Sequence, residues 1–332
     1  MHKYILRRLI MLIPVVLGVL TIVFILSEIN PGDPVSIMLG SDASEEARQL
    51  LTEQLGLDRP LYIRYFSYLW DFVSKGDLGL SYTTSQPVMG EILVRWPKTL
   101  ILAAASVCLS LLIGIPAGII SAVKQYSIID NATIALSLIF ASVPQFWLAL
   151  MMIIIFSVNL HWFPTSGIIE PSGWILPVVA CGFGSAASNA RMTRSSMLEV
   201  VRQDYIRTAR AKGQKESVVI WKHAFKNALI PIVTSVGAQI GSSLGGAVTI
   251  EKVFAIPGLG KYLVDGLGNH NTPAVLGGVL FLALIFSVVN LLVDIAYAFI
   301  DPRIMAKYKQ GSKRKKQSDS GANGKKRSGA AA

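Results

Sequence analysis

The chain has little charge. Only 15% of its 332 residues are Asp, Glu, Lys or Arg, while 52% are hydrophobic. So few charges cannot cover a soluble 36 kDa globule, and a mean hydropathy of +0.52 points the same way. Cysteine is nearly absent. Cys108 and Cys181 both lie in apolar segments, which excludes a disulfide scaffold and a spaced thiolate metal site. The four histidines, His2, His161, His223 and His270, are scattered, and none has an i,i+4 metal-ligand partner. No G-x-x-x-x-G-K-[ST] string is present. The nearest, ending in Gly260-Lys261, has Ala255 for its first glycine and Tyr262 for its Ser/Thr. The chain is therefore expected to bind no nucleotide, cofactor or metal of its own and to carry no catalytic residue.

Long apolar runs are what it has. A membrane-crossing helix needs about 20 mostly apolar residues. Six runs qualify: 9–27, 99–123, 131–158, 173–190, 227–250 and 274–299. The fourth is rich in Gly, Ala and Ser, and the sixth contains Asp294. The predicted fold class is all-α, a polytopic membrane protein with six transmembrane helices. It divides into an N-terminus, 1–8, a six-span domain, 9–303, and a basic tail, 304–332. The first run reads as an uncleaved span rather than a signal peptide, because Glu28-Ile-Asn-Pro-Gly-Asp33 follows it instead of an A-x-A site.

Orientation follows from the basic residues. With the N-terminus in the cytoplasm, 23 of the 31 Lys and Arg fall on the inner side. This predicts cytoplasmic termini in a bacterial inner membrane. It also explains the net charge of +11 by topology and removes the need for a nucleic-acid partner.

Three connections stand out. The extracytoplasmic segment, 30–98, is expected to hold a short helix capped by Asp42 with Glu45 at N3 and stopped by Gly56. The aromatic-rich stretch after it, from Tyr62 to Phe72, suits a helix in the membrane interface. A docking platform for an outer partner and a structural elbow are both open readings of this segment. The cytoplasmic loop, 191–226, is long for a connection between membrane helices. It is predicted helical up to Lys212, broken at Gly213 and helical again from Val218. It reads either as a helix for a groove on a soluble partner or as a solvated basic loop. The tail after Ile304 is rich in Gly, Ser and Lys and is expected to be disordered, with attraction to anionic membrane lipid or inertness as its two readings.

Several strings resemble one family. Asp204-Tyr-Ile-Arg-Thr-Ala-Arg-Ala-Lys-Gly213, continued by His223-Ala-Phe-Lys-Asn-Ala-Leu-Ile-Pro231, is similar to the cytoplasmic "EAA" loop of bacterial ABC importer permeases. The general motif has Glu-Ala-Ala where this chain has Arg207-Thr208-Ala209, and Pro231 lies further beyond Gly213 than in that motif. Both departures resemble the dipeptide/oligopeptide/nickel branch, in its "B"-type subunit. Asn30-Pro-Gly-Asp-Pro34, Gly76-Asp-Leu-Gly79, Ser142-Val-Pro-Gln-Phe-Trp147, Glu251-Lys-Val-Phe254 with Pro257-Gly-Leu-Gly260, and Asp301-Pro-Arg303 match in order.

The resemblance implies the type I importer permease fold and a transport subunit that is not itself an enzyme. It implies ATP hydrolysis by two partner ATPases, a second homologous permease completing a heterodimer, and an extracytoplasmic solute-binding protein. Asp204, Arg207, Thr208, Ala209, Arg210, Ala211, Lys212, Gly213, His223 and Asn227 are then the ATPase-coupling candidates. A nickel-chelate or other small-solute importer is the alternative within the family. An ion-driven secondary carrier is the alternative outside it, disfavoured because Asp294 is the one charge within the runs.

Gln145, Ser188, Asn189, Gln239 and Ser242 are candidate polar contacts along a solute pathway. The same residues also suit dry cross-helix hydrogen bonding, so both readings stand. Gly237, Gly241 and Gly245 form a small-residue face for close helix approach. Asp294, one turn beyond Asn290, reads as a structural lock in preference to a proton relay. Pro14, Pro116, Pro144, Pro177 and Pro231 are expected to kink their spans.

Overall fold

A computed structural model describes residues 2–29, 33–40 and 43–300. The predicted disordered tail, 304–332, and Asp42 lie outside the described residues, as does the side chain of Asp294. The order is α1 (His2–Ile29), α2 (Pro34–Leu39), α3 (Glu45–Leu55), α4 (Leu61–Lys75), α5 (Val88–Val123), α6 (Ile128–Ser142) and α7 (Gln145–Met152). A π-helical turn, Ile153–Asn159, prolongs α7. Then come α8 (Ile175–Val201), α9 (Asp204–Ala211), the short α10 (Glu216–Val218), a π-helical segment Val219–Phe225, α11 (Lys226–Val253), α12 (Leu259–Gly268) and α13 (Thr272–Ile300).

Among the described residues two helices, α5 and α13, are long and apolar enough to cross a membrane unaided. The number becomes four if each of two bent pairs counts as one span. One of those pairs corrects the third predicted run. Residues 131–158 form no continuous helix: α6 meets α7 and its π-helical extension at 100°. Pro144 is the cause. It has no N–H for the helical ladder, and its ring forces Val143 out of helical space, to φ −78° and ψ 126°. Pro14, Pro116 and Pro231 lie inside α1, α5 and α11, which continue past them. The cap of α3 is also corrected. Ser44 is the N-cap, and its hydroxyl accepts from the Ala47 N–H at 3.3 Å. Gly56 ends the helix in the left-handed region at φ 63°, as expected.

The centre of the fold is the α5–α8 pair, the largest helix–helix contact. Ser106, Ser110, Gly114, Gly118 and Ser121 follow one another along the buried face of α5 at three- or four-residue spacing. Small residues let a neighbouring backbone come close, which is how helices gain packing in a medium as apolar as their own side chains. At Gly114 a Cβ would lie 2.6 Å from the Ala186 carbonyl oxygen, and at Gly118 one would lie 2.5 Å from that of Ala190. Helix α11 lies against α5, α8 and α13. Three apolar clusters result. One joins α5, α7, α8 and α11 around Leu102, Met152 and Ile250. A second lies at the α9 end, around Met197 and Ile206. The third joins α1, α5, α12 and α13 around Leu20, Ile92 and Leu280.

Candidate functional site

Helix α9 is short and two-faced. Ile206, fully buried, and Ala209, nearly so, insert into the cluster formed by Ile119 and Ala122 of α5, Met197 of α8, Val219 and Ala224 of the π-helical segment, and Ala228 of α11. Asp204, Tyr205, Arg207, Thr208, Arg210 and Ala211 remain exposed. The helix is held locally. Thr208 Oγ1 donates to the Asp204 carbonyl at 2.9 Å, and Arg210 donates to both carboxylate oxygens of Glu216, at 2.6 and 3.2 Å. That carboxylate holds the Arg210 pKa above its ordinary value. Lys212 caps the helix, and Gly213 turns the chain at φ +72°, a conformation that suits glycine. His223 bonds Gln214 at 2.7 Å, and Asn227 donates to the His223 carbonyl at 2.7 Å. The coupling candidates thus form one unit. Ile206 and Ala209 share one apolar cluster with residues of α5, α8 and α11. The sequence reading ran the helix into this loop without a break, whereas the structure breaks it at Arg202–Gln203.

Beside this unit is a buried ion pair that sequence reasoning missed. Asp130, 1% exposed, accepts from Arg194 Nε at 2.6 Å and from its second nitrogen at 2.9 Å. The same carboxylate accepts from the Ser121 hydroxyl and from the Tyr126 N–H at 2.9 Å. Four donors on one carboxylate offset its desolvation. They tie the α5–α6 elbow to α8 about two turns before the end of that helix. A lone acid at the head of an apolar run was the available signal.

The pathway candidates separate. Asn189, buried, donates to Gln239 Oε1 at 2.8 Å and to Ser110 at 3.3 Å, and Gln239 donates to Ser110 at 2.8 Å. This closed triad joins α5, α8 and α11 and gives both amides cross-helix partners. Ser188 and Ser242 are exposed, and Gln145 is half-buried at the start of α7. The glycine face is only partly used. Gly237 is buried, and Gly241 would bring a Cβ to 3.0 Å from Phe286 and 3.3 Å from Asn290 Oδ1 on α13. Gly245 has nothing within 4 Å. The glycines that bring α5 against the α8 backbone are Gly114 and Gly118, a G-x-x-x-G spacing legible in the sequence.

The far end is organised by Glu251, fully buried and without an ion pair among the described residues. Its carboxylate accepts from Thr99 Oγ1 at 2.6 Å and from the Lys261 N–H at 2.9 Å, at the N-terminus of α12. Free N–H groups at a helix start are natural carboxylate partners. A Cβ at Gly258 would fall inside that carboxylate, so the glycine admits it. Further out, Asp265 pairs with Lys252 and, at 2.6 Å, with Lys261. Desolvation raises the Asp265 pKa, but the two ammonium groups outweigh it and hold the group below its ordinary 3.8. Arg95 lies 4.5 Å over the Tyr262 ring. Among the described residues no group of three His, Cys, Asp or Glu could hold a metal ion.

Comparison with known proteins follows the same lines. Residues 114–306 match the family described as binding-protein-dependent transport system inner membrane component, and residues 1–103 match its N-terminal companion. The dipeptide transport system permease protein DppB of Alkalihalophilus pseudofirmus is 42% identical, with 92% of this chain and 99% of that protein covered. The oligopeptide transport system permease protein AppB of Bacillus subtilis is 40% identical at the same coverage. The glutathione transport system permease protein GsiC of Escherichia coli is 41% identical, covering 92% of this chain and all of that protein. Among solved structures, a chain of the inward-facing MetNI methionine ABC transporter superposes with a TM-score of 0.56 at 23% identity, over 66% of this chain and 100% of its own length. That likeness concerns the fold alone. The chain therefore belongs to the inner-membrane components of binding-protein-dependent transport systems, the permease subunits of ABC importers.

Proposed function

We propose that the chain forms half of a peptide translocation pathway and is driven by a separate ATPase through α9. The form of α9 carries this reading: two apolar side chains root it in the bundle, and an exposed polar face remains for a soluble partner. The names of the relatives support peptides over a nickel chelate as cargo, and the family supports ATP-driven import over an ion-driven carrier. The excess of Lys and Arg around α9 supports a cytoplasmic location for that end and for both termini. Six spans then follow from α1, α5, the broken α6–α7 pair, α8, α11 and α13. A second, similar permease would complete the pathway, two ATPases would bind at the α9 ends, and a solute-binding protein would deliver cargo at the α12 end. Ser188 and Ser242 are the exposed pathway candidates, and the Ser242 hydroxyl donates within its own helix, to the Gln239 carbonyl.

Movement of α9 would tilt the α5–α8 pair between inward and outward openings. The test is Arg207→Glu, a site 75% exposed, in the assembled transporter in vesicles. The expected result is peptide uptake reduced about tenfold with partner ATP hydrolysis retained, within the usual span of coupling energies. Uptake at the wild-type rate would remove α9 as the lever.

A further inference from the structure

Helix α4 has three faces. On one, Tyr65, Tyr68, Leu69 and Phe72 turn toward the protein: Tyr65 packs 5.3 Å from the Phe24 ring, and the other three join the α1–α12–α13 cluster. At 100° per residue, Arg64, Ser67, Asp71, Ser74 and Lys75 share a second face, which holds every charged and serine side chain of the helix. The third carries Tyr62, Phe66, Trp70 and Val73, at i, i+4, i+8 and i+11, and they are 65, 65, 70 and 75% exposed. A helix bounded by protein and water turns polar groups outward. Neighbouring α3 does so, with Glu45, Glu46, Gln49, Glu53 and Gln54 exposed. Helix α4 does not.

Two contacts fix its height on α1. The Tyr65 hydroxyl bonds Thr21 at 2.6 Å, and Arg64 pairs with Glu28 at 2.7 Å. Thr21 and Glu28 are about 10 Å apart along α1, while Arg64 and Tyr65 are adjacent, so α4 crosses α1 near Phe24, about 6 Å inside Glu28. At that level α1 exposes Ile22, Ile25 and Leu26, as apolar as the exposed stripe of α4.

We propose that α4 lies in the bilayer boundary at the α12 end, with Tyr62, Phe66, Trp70 and Val73 among lipid acyl chains and its charged face at the headgroups. The inference rests on the proposed membrane crossing of α1. It makes the aromatic segment an in-plane lipid anchor and leaves α3, with its acidic outer face, in water.

The test uses the full chain in phosphatidylethanolamine/phosphatidylglycerol nanodiscs. Single spin labels are placed at positions 66, 70 and 74, and at 22 and 26 as controls, in a Cys108→Ala/Cys181→Ala background. Relaxation by oxygen, which partitions into lipid, is compared with relaxation by a water-soluble nickel chelate. Labels at 66 and 70 should favour oxygen, as at 22 and 26, and the label at 74 should favour the chelate. Chelate preference at 66 and 70 would place the stripe in water, and shielding from both agents would place it under protein; either overturns the proposal. Chelate preference at 22 and 26 would instead remove the crossing of α1, and the proposal with it. Should the cysteine-free background not fold, acyl-brominated lipid should quench the Trp70 emission, read as the difference between wild type and Trp70→Phe. An unquenched Trp70 would likewise overturn the proposal.

Discussion

Replacing Arg194 by Met leaves the Asp130 carboxylate, 1% exposed, without its cation. Removing one partner of a buried ion pair costs roughly 3–5 kcal/mol, because the remaining charge is stranded. Asp130 keeps the Ser121 hydroxyl and the Tyr126 N–H, so the lower end, about 3 kcal/mol, applies. Ser121→Ala removes one neutral donor and should cost about 1 kcal/mol. At roughly 2 °C per kcal/mol for a chain of this size, the thermal midpoints should fall by about 6 °C and about 2 °C. Thermal unfolding of the full chain in nanodiscs measures both. Adding Asp130→Asn to Arg194→Met removes the stranded charge and should recover about half of the loss or more. If Arg194→Met costs no more than Ser121→Ala, or if Asp130→Asn recovers nothing, the carboxylate is solvated and the clamp reading is wrong.

Two further outcomes follow from particular contacts. Gly118→Ala places a Cβ 2.5 Å from the Ala190 carbonyl oxygen, a backbone atom that cannot swing away; it should cost about 1–3 kcal/mol in the same unfolding assay, whereas Gly245→Ala, with nothing within 4 Å, should change little, and equal effects would contradict the packing described. Asp265 has a folded pKa held below 3.8, so its ion pairs contribute stability above the unfolded carboxylate pKa and lose it as pH falls through the folded value; Asp265→Asn should therefore lower the midpoint at pH 7 and change it much less near pH 2, and a pH-independent difference would rule out the ion pairs as its source.

The Asn189–Gln239–Ser110 triad bears on mechanism as well as stability. It locks α5, α8 and α11 to one another halfway along the bundle. Together with the Asp130–Arg194 clamp it makes these helices suited to moving as a body. In the proposed mechanism, small shifts at α9 would then be transmitted rather than absorbed, because close-packed interiors deform little.

The amino-acid sequence by itself determined the membrane class, the helical composition and the helix that ends before Gly213, because these depend on local quantities: apolar run length, charge placement and the turn chemistry of Gly56 and Gly213. It also contained the family strings, whose order along the chain needs no folding to be read. Only the tertiary structure decided which polar residues face one another. Asn189 and Gln239 carry the same side chains whether they line a pathway or bond across helices, and the choice depends on the rotation of α8 against α11. Likewise Asp130 and Arg194 are 64 residues apart, and Glu251 meets Thr99 across 152; such pairings arise when helices pack, and no local pattern encodes them. Helix α4 shows both levels at once: its aromatic content was legible along the chain, but which face met protein and which was left for lipid followed from the height at which Tyr65 and Arg64 hold it on α1.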